Sequence, residues 1–463
     1  MASGKKVLRW LAGSVVVVGA ILWVEARHLG LTTASAQLEE QLRLAKQEGL
    51  PLTPADLNLK PISEDDNAFT PIMNAFSQIK ILPTDPTLIL DKWQSTYGKV
   101  IPTDAQAEAA LADLKPAMDT AERASKRPYL DMHSQWDRAS DLDFVADHPC
   151  RILAKCFIAK ARLLRIKHKP EGAVQALKAA ARLGALLSSS PTSVPLFTRV
   201  AIESLLFREA SNFLRSDSSD GVVRGVTDVA ATMGAAPNVK ASMQGDFLWL
   251  RSGILEMGYM KDVTGTLYDD DIYPAEWKLM RLSSISDLNQ ANAIEFFRRQ
   301  YMAVPNGESS LAGLPAKVQN VDNDVDMAGG LGYMASSRFL PSRHQLVESW
   351  MECLARRRVC AAGLDILAQR NRTGKFPATW SKPGVDGIDP FTDKPLIYRR
   401  KGAGFVVYSV DKDGKDDGGR PYPLDNDVEH RQDISFEYPT LSVRPVPPPT
   451  PAPTVPGGLP GGD

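Results

Sequence analysis

The sequence has few of the residue types on which enzymes and metalloproteins most often rely. Its 463 residues include 4 cysteines and 6 histidines, and no histidine stands in an H-E-x-x-H or other zinc-binding spacing. Neither a G-x-S-x-G nucleophile motif nor a glycine-rich phosphate loop occurs in it. A metalloprotease, a serine hydrolase, a kinase and a dinucleotide-binding enzyme therefore have no basis in the sequence.

An excess of charge of one sign is also missing. Lys plus Arg number 54 and Asp plus Glu number 55, and no long basic run occurs. The electrostatic signature of a nucleic-acid-binding protein is therefore absent, and we exclude DNA and RNA as partners. The hydrophobic share of 43% and the charged share of 24% are those of a globular chain, which at this length should form two or three folding units.

One mainly apolar segment near the N-terminus is long enough to cross a bilayer. Its uncharged run, residues 10–24, follows Lys5, Lys6 and Arg9, and residues 7–26 reach the length of about 20 residues that a transmembrane helix needs by including Arg9 and Glu25, whose side chains can extend to the interfaces. Because the basic residues precede the run, the positive-inside rule puts the N-terminus in the cytoplasm. We predict a cytoplasmic N-terminus (1–6), a single-pass anchor in the inner (cytoplasmic) membrane (7–26), and an extracytoplasmic remainder.

Two alternatives to an uncleaved anchor remain. Ala34, Ser35 and Ala36 form an A-x-A sequence of the kind that signal peptidase accepts, although it stands far from the apolar run. The run could also be a buried helix of a soluble protein, but its flanking charges suit a lipid bilayer better.

The cysteines fall into two pairs, Cys150 with Cys156 and Cys353 with Cys360, and each pair is predicted to lie on one helix. A helical rise of about 1.5 Å per residue separates the members of a pair by roughly 9 to 11 Å. That exceeds the reach of a disulfide, which is under about 7 Å between Cα atoms. Any bridge must therefore join one pair to the other, and the equal alternative is four buried thiols.

The rest of the chain predicts a mainly α fold: an N-terminal transmembrane helix, an irregular α-helical bundle and a small C-terminal α+β unit. Residues 150–168 and 171–188 carry apolar residues at helical spacing and flank Pro170, which predicts a helix hairpin. The predicted segments are a stalk or wrapping segment (27–103), the helical bundle (104–306), a polar loop or junction (307–341), the α+β module (342–442) and a disordered Pro/Gly-rich tail (443–463).

Within the α+β module, a predicted helix over residues 344–372 precedes two predicted strands, 396–400 and 405–410. The second strand runs into D-K-D-G-K-D-D-G-G, which starts at Asp411. Carboxylates at this density, with glycines that permit tight turns, suit Ca²⁺, which prefers about 6 to 8 oxygen ligands. The loop is not an EF-hand, because its glycine is the fourth residue and its twelfth is Tyr422.

The order of the long helix, D-P-F-T-D-K-P-L-I-Y, V-V-Y-S-V and the acidic loop resembles the C-terminal half of the major pseudopilin of type II secretion. In that family the corresponding loop binds a structural calcium ion. The resemblance implies Asp413, Asp416, Asp417 and Asp427 as ligands, with Val410 as a carbonyl donor. It covers residues 351–442, and the apolar N-terminal segment lacks the family's prepilin peptidase site and fifth-position Glu, so filament assembly is not implied. A solvated acidic turn without metal is the alternative.

The helical body, with P-E-G-A-V-Q-A-L-K-A-A-A-R-L-G, is similar to uncharacterised membrane-anchored proteins of planctomycete-type bacteria, a resemblance that implies no activity. The sequence therefore supports two alternative hypotheses of function. The first is a membrane-anchored extracytoplasmic scaffold with a calcium-stapled pseudopilin-like module that binds a protein partner in the envelope. The second is an extracytoplasmic enzyme whose site assembles from distant residues.

Overall fold

The computed structural model describes residues 31–80, 85–94, 101–136, 145–257, 282–328, 342–420 and 433–439, together with residues 27, 138 and 333. This part of the chain is mainly helical, with a small three-stranded antiparallel sheet near its C-terminal end. The predicted anchor (7–26), the predicted tail (443–463) and Asp427 lie outside the described residues. Among the helices that are described, none has the length and apolar character needed to cross a bilayer.

The helices of the described residues are, in chain order, α1 (Ala34–Gln47), α2 (Phe69–Lys80), α3 (Pro86–Gln94), α4 (Asp104–Asp113), α5 (Lys115–Ala124), α6 (Asp147–Ile166), α7 (Pro170–Leu186), α8 (Ser193–Ser216), α9 (Asp220–Thr232), α10 (Val239–Met257), α11 (Ser283–Ala303), α12 (Leu314–Met327) and α13 (Arg343–Thr373).

Helices α6 and α7 form the predicted hairpin. Pro170 is the first residue of α7, where the N–H that proline lacks would have no partner within the helix. Leu153 and Phe157 on α6, and Leu177 and Ala181 on α7, are buried as their spacing predicts. Helix α8 packs against both members of the hairpin, so these three helices form the centre of the helical body.

Two hydrophobic cores share two long helices. The first core contains α2 to α7, α9 and the sheet, and the second contains residues of α1, α10, α11 and α12. Helix α13 contributes Met351 and Leu354 to the second core but Val359 to the first. Helix α8 does the same, with Val200 in the second core and Leu206 in the first. Because α8 and α13 belong to both cores, the two halves of the body are joined by continuous helices.

A buried ionic cluster lies where α8 meets α13. Its centre is Glu203, which is 1% exposed. Arg357 binds the Glu203 carboxylate with two hydrogen bonds of 2.6 and 2.8 Å, Arg199 adds one of 2.8 Å, and the Cys353 thiol donates another at 3.1 Å. Burial alone would raise the pKa of Glu203, but the hydrogen bonds and charges of Arg357 and Arg199 outweigh burial and lower it.

The sheet consists of β1 (Ile397–Lys401), β2 (Gly404–Ser409) and β3 (Ile434–Tyr438), in the order β1-β2-β3. Strands β1 and β2 correspond to the two predicted strands and pair antiparallel, whereas β3 was not predicted. The sheet lies on α13, where a Cβ atom on Gly363 would come within 2.7 Å of the Phe436 ring. A residue without a side chain is therefore needed there for the helix to approach the sheet this closely.

The prediction of a polar loop over residues 307–341 is wrong in part, because the stretch contains α12. Val318, Val321 and Val325 recur at helical spacing and are buried. Pro315 lies in the first turn and Gly313, with φ +75°, precedes the helix. Asn320 and Asn323 are exposed, whereas Asp322 is buried among polar partners, and the number of polar residues hid the apolar stripe.

The segment over residues 27–103, predicted as a stalk or wrapping segment, contains α1, α2 and α3 in its described part. Leu38 and Leu42 of α1 pack against the second core, and Arg298 of α11 binds Gln41 at 2.6 Å and forms an ion pair with Glu48. The described part of this segment therefore packs along the body.

The four cysteines are all buried free thiols. Each pair does share one helix, α6 or α13, as predicted. Burial raises the pKa of all four thiols, to about 12 for Cys156 and Cys360, so they remain protonated at neutral pH. The structure therefore has four buried thiols, which is one of the two arrangements that the sequence left open.

Candidate metal centre

The acidic loop leaves β2 and folds back against it through a series of tight turns. Asp411, Gly414, Gly418 and Gly419 all have positive φ, between +56° and +78°. A Cβ atom on Gly419 would come within 2.7 Å of a Val406 methyl group, so the loop passes directly over the strand. The backbone conformation of the loop therefore depends on its glycines and on its contact with β2.

The loop is also attached to the turn before β1 and to the long helix. Asp389, in the D-P-F-T-D motif, is 2% exposed and accepts hydrogen bonds from the Ser409 hydroxyl at 2.8 Å and the Val410 N–H at 2.9 Å. Lys412 forms an ion pair of 2.7 Å with Glu348 on α13. Val410, the predicted carbonyl donor, is therefore a buried and anchored start to the loop.

Asp416 is the most heavily bonded of the predicted ligands. One carboxylate oxygen accepts the Tyr408 hydroxyl at 2.7 Å and the Gly418 N–H at 2.9 Å, and the other accepts Arg399 Nη2 at 2.7 Å. The hydrogen bond from Tyr408 is the largest cause that lowers the pKa of Asp416, followed by Gly418 and the charge of Arg399. The Asp416 carboxylate is thus kept ionised and held against β2.

The other predicted ligands do not all lie together. Asp413 is exposed, and its carboxylate accepts the Lys415 N–H at 3.0 Å, so it closes its own turn. Asp417 lies close to Asp433, whose carboxylate accepts the Asp417 backbone N–H. Asp427 lies outside the described residues.

Asp433 is the residue that sequence reasoning missed as a candidate ligand. It is 1% exposed, and one carboxylate oxygen accepts the Gly419 N–H at 2.6 Å. The other oxygen is buried and has no hydrogen-bond partner among the described residues. Burial, reinforced by the charges of Asp417 and Asp416, raises the pKa of Asp433 to about 6 despite two backbone hydrogen bonds that lower it.

Asp416, Asp417 and Asp433 therefore form an acidic cluster on one side of β2. In the part of the chain that the structure describes, no group of three or more His, Cys, Asp or Glu side chains is arranged to hold a metal ion. The donor set is nevertheless of the hard oxygen type that Ca²⁺ prefers. The buried oxygen of Asp433 that lacks a partner is a group that a bound cation would satisfy.

One trio of side chains has the composition of a serine-hydrolase triad. The Nδ1 atom of His344 lies 2.7 Å from the Ser342 hydroxyl and 3.0 Å from Asp322 Oδ2. A catalytic triad needs the serine and the carboxylate on opposite ring nitrogens, whereas here both contact the same one. Asp322 also accepts the backbone N–H of His344 at 2.9 Å. Asp322 of α12 therefore caps the N-terminus of α13, and the trio has a structural role.

A second polar cluster is likewise accounted for by packing. Ser193 on α8 and Asp246 on α10 are hydrogen-bonded, and Arg343 on α13 donates to the Ser193 hydroxyl at 2.7 Å and to Asp246 at 2.6 Å. All three residues are buried. The cluster ties three helices together, and its serine is held by its neighbours away from solvent.

Comparison of the whole chain with protein-family models, with curated proteins and with solved structures gives no match in any of the three.

Proposed function

We propose that this protein is a membrane-anchored, extracytoplasmic scaffold whose C-terminal module is stabilised by a structural calcium ion and binds a protein partner in the envelope. The observation that carries the calcium part is the buried, unpartnered oxygen of Asp433 beside Asp416 and Asp417. A carboxylate oxygen that is buried without a hydrogen-bond partner or a counter-ion destabilises the folded state. Asp433, Asp417 and Asp416 would hold the ion, with Val410, Asp413 and Asp427 as the further ligands that the pseudopilin resemblance implies.

The role of the ion would be structural. It would offset most of the negative charge of the cluster and fix the loop against a sheet of three short strands, which has little core of its own. A ligand that binds only the folded state stabilises it by mass action, by about 2.7 kcal/mol at a concentration 100 times its Kd.

Calcium should therefore raise the melting temperature of the full-length protein, and Asp433→Asn should abolish the increase. The measurement is thermal unfolding with chelator and with millimolar CaCl₂. Asp386→Asn is the matched control, because Asp386 is exposed on the same module but outside the loop, and it should keep the increase. Equal melting temperatures of the unsubstituted protein with and without calcium would remove the metal from the proposal.

The anchor part of the proposal is supported by the sequence of residues 7–26 and by the start of the body. Eight residue steps separate Ala26 from Ala34, the first residue of α1, and they span at most about 28 Å when fully extended. Ala34 is buried, and the A-x-A sequence forms the first turn of α1, so cleavage after Ala36 would remove part of a packed helix. This favours an uncleaved anchor that holds the body close to the bilayer.

In bacterial cells that produce the full-length chain, the protein should sediment with membranes and resist alkaline extraction. Protease added to spheroplasts should digest it, because the body is expected outside the cytoplasm. A variant that lacks residues 7–26 is the control and should leave the membrane fraction. Recovery of the full-length chain as a soluble cytosolic protein would refute the anchor.

A further inference from the structure

The acidic cluster already contains a cation of the protein itself. Arg399 Nη2 lies 2.7 Å from Asp416 Oδ2, and the Arg399 guanidinium lies 5.5 Å from the centre of the Tyr408 ring. The Tyr408 hydroxyl in turn donates to the other oxygen of Asp416. Arg399 is thus stacked on the aromatic residue that positions the carboxylate, and its charge is directed at the same acid that a metal ion would use.

We infer that Arg399 is an internal counter-ion that competes with calcium for Asp416 and so lowers the calcium affinity of the loop. This inference rests on the proposed calcium site. In the metal-free protein the guanidinium neutralises Asp416, and it repels a Ca²⁺ ion that binds the same carboxylate. The loop would then remain folded without metal and respond only at high calcium concentrations.

The Arg399–Asp416 pair is partly exposed, with side chains 51% and 41% accessible, and two observations set its surroundings apart from those of an ordinary surface ion pair. First, the cluster contains more negative charge than one arginine neutralises, and within the described residues neither Asp417 nor Asp433 has an ion pair. Second, the unpartnered oxygen of Asp433 is buried, which points independently to a cation other than Arg399 in the cluster. Arg399 therefore neutralises Asp416 and leaves Asp417 and Asp433 available to a bound cation.

The size of the effect follows from Coulomb's law. A divalent ion and a guanidinium that share one carboxylate would lie on the order of 5 Å apart, where their repulsion, even in a medium as polar as water, corresponds to a change in affinity of about tenfold. The charge is the important property, so replacing Arg399 with a neutral side chain should strengthen calcium binding, and replacing it with lysine should change binding little.

The test is calorimetric titration of full-length Arg399→Gln with CaCl₂, which should give a Kd about tenfold lower than that of the unsubstituted protein. Arg400→Gln is the matched control: Arg400 is the next residue on β1 but donates to the Phe376 carbonyl at 2.9 Å, and its substitution should leave the Kd unchanged. Arg399→Lys should also leave it nearly unchanged.

The outcomes distinguish the inference from the proposed function. If Arg399→Gln and the unsubstituted protein bind calcium with equal Kd, Arg399 is not a competitor, and the calcium site stands. If Arg399→Gln binds more weakly, Arg399 supports the site instead, and the inference is likewise wrong. If neither protein binds calcium, the proposed calcium site fails and the inference fails with it.

Discussion

Replacing Glu203 with glutamine should lower the free energy of unfolding by about 3 to 5 kcal/mol, which is the usual cost of removing one partner from a buried ion pair. The substitution leaves Arg199 and Arg357 without their shared carboxylate at a position that is 1% exposed. The loss arises mainly from two guanidinium charges that lose their counter-ion in a largely buried cluster, because glutamine has almost the same volume as glutamate. The loss in the free energy of unfolding is measured by urea unfolding of the full-length protein, monitored by circular dichroism.

The matched control is Glu40→Gln. Glu40 also pairs with an arginine, Arg43, but both side chains are about half exposed. Exposed pairs of this kind contribute little, so the control should change stability by under about 0.5 kcal/mol. Equal effects of the two substitutions would mean that the Glu203 cluster does not stabilise the junction of α8 and α13.

Asp147 should make the protein less stable as the pH rises from about 4 to about 7. The side chain is 4% exposed at the start of α6, and neither carboxylate oxygen has a hydrogen-bond partner among the described residues. Burial raises the pKa of Asp147 to about 7, whereas the unfolded value is about 3.9. The stabilisation by the bound proton is complete below pH 4 and is lost as the pH rises through 7, by at most about 4 kcal/mol.

Asp147→Asn removes this dependence because the amide does not titrate. The variant should be more stable than the unsubstituted protein at pH 8, and the difference should shrink toward pH 4. Urea unfolding at several pH values between 4 and 8 measures both curves. Asp113→Asn, at an exposed position at the end of α4, should leave the pH dependence unchanged. A constant difference between Asp147→Asn and the unsubstituted protein at every pH would contradict the assignment.

Local patterns in the sequence predicted the α6–α7 hairpin and the long α13 correctly. These helices follow from apolar spacing, from Pro170 at the start of α7 and from Gly374 directly after α13. Helix α12 was missed because its polar residues outnumber the three valines that face the core. Strand β3 was missed because it lies beyond the acidic stretch, away from the other two strands, although Ile434 and Phe436 alternate with polar residues as a strand requires.

The contacts that matter most lie beyond the reach of local patterns. Glu203 and Arg357 are 154 positions apart, and only the packing of α8 on α13 brings them together. Asp433 stands 14 positions after Gly419, to which it binds, so sequence alone gave no reason to prefer it over Asp425 or Asp427. The acidic composition of the loop was visible in the sequence, but the buried oxygen that lacks a partner was visible only in three dimensions.

The length of α13 limits how the protein can be divided into pieces. Its 31 residues make a rod of about 46 Å. A fragment that starts at residue 342 would expose Val347, Trp350 and Met351, which have no apolar neighbours to cover them once the second core is gone. The complementary fragment, which ends before residue 342, would lack α13 and would expose the residues of the second core that pack against it. Expression of this C-terminal fragment as an isolated unit should therefore yield aggregates, and structural work on the acidic loop is best done with the entire polypeptide.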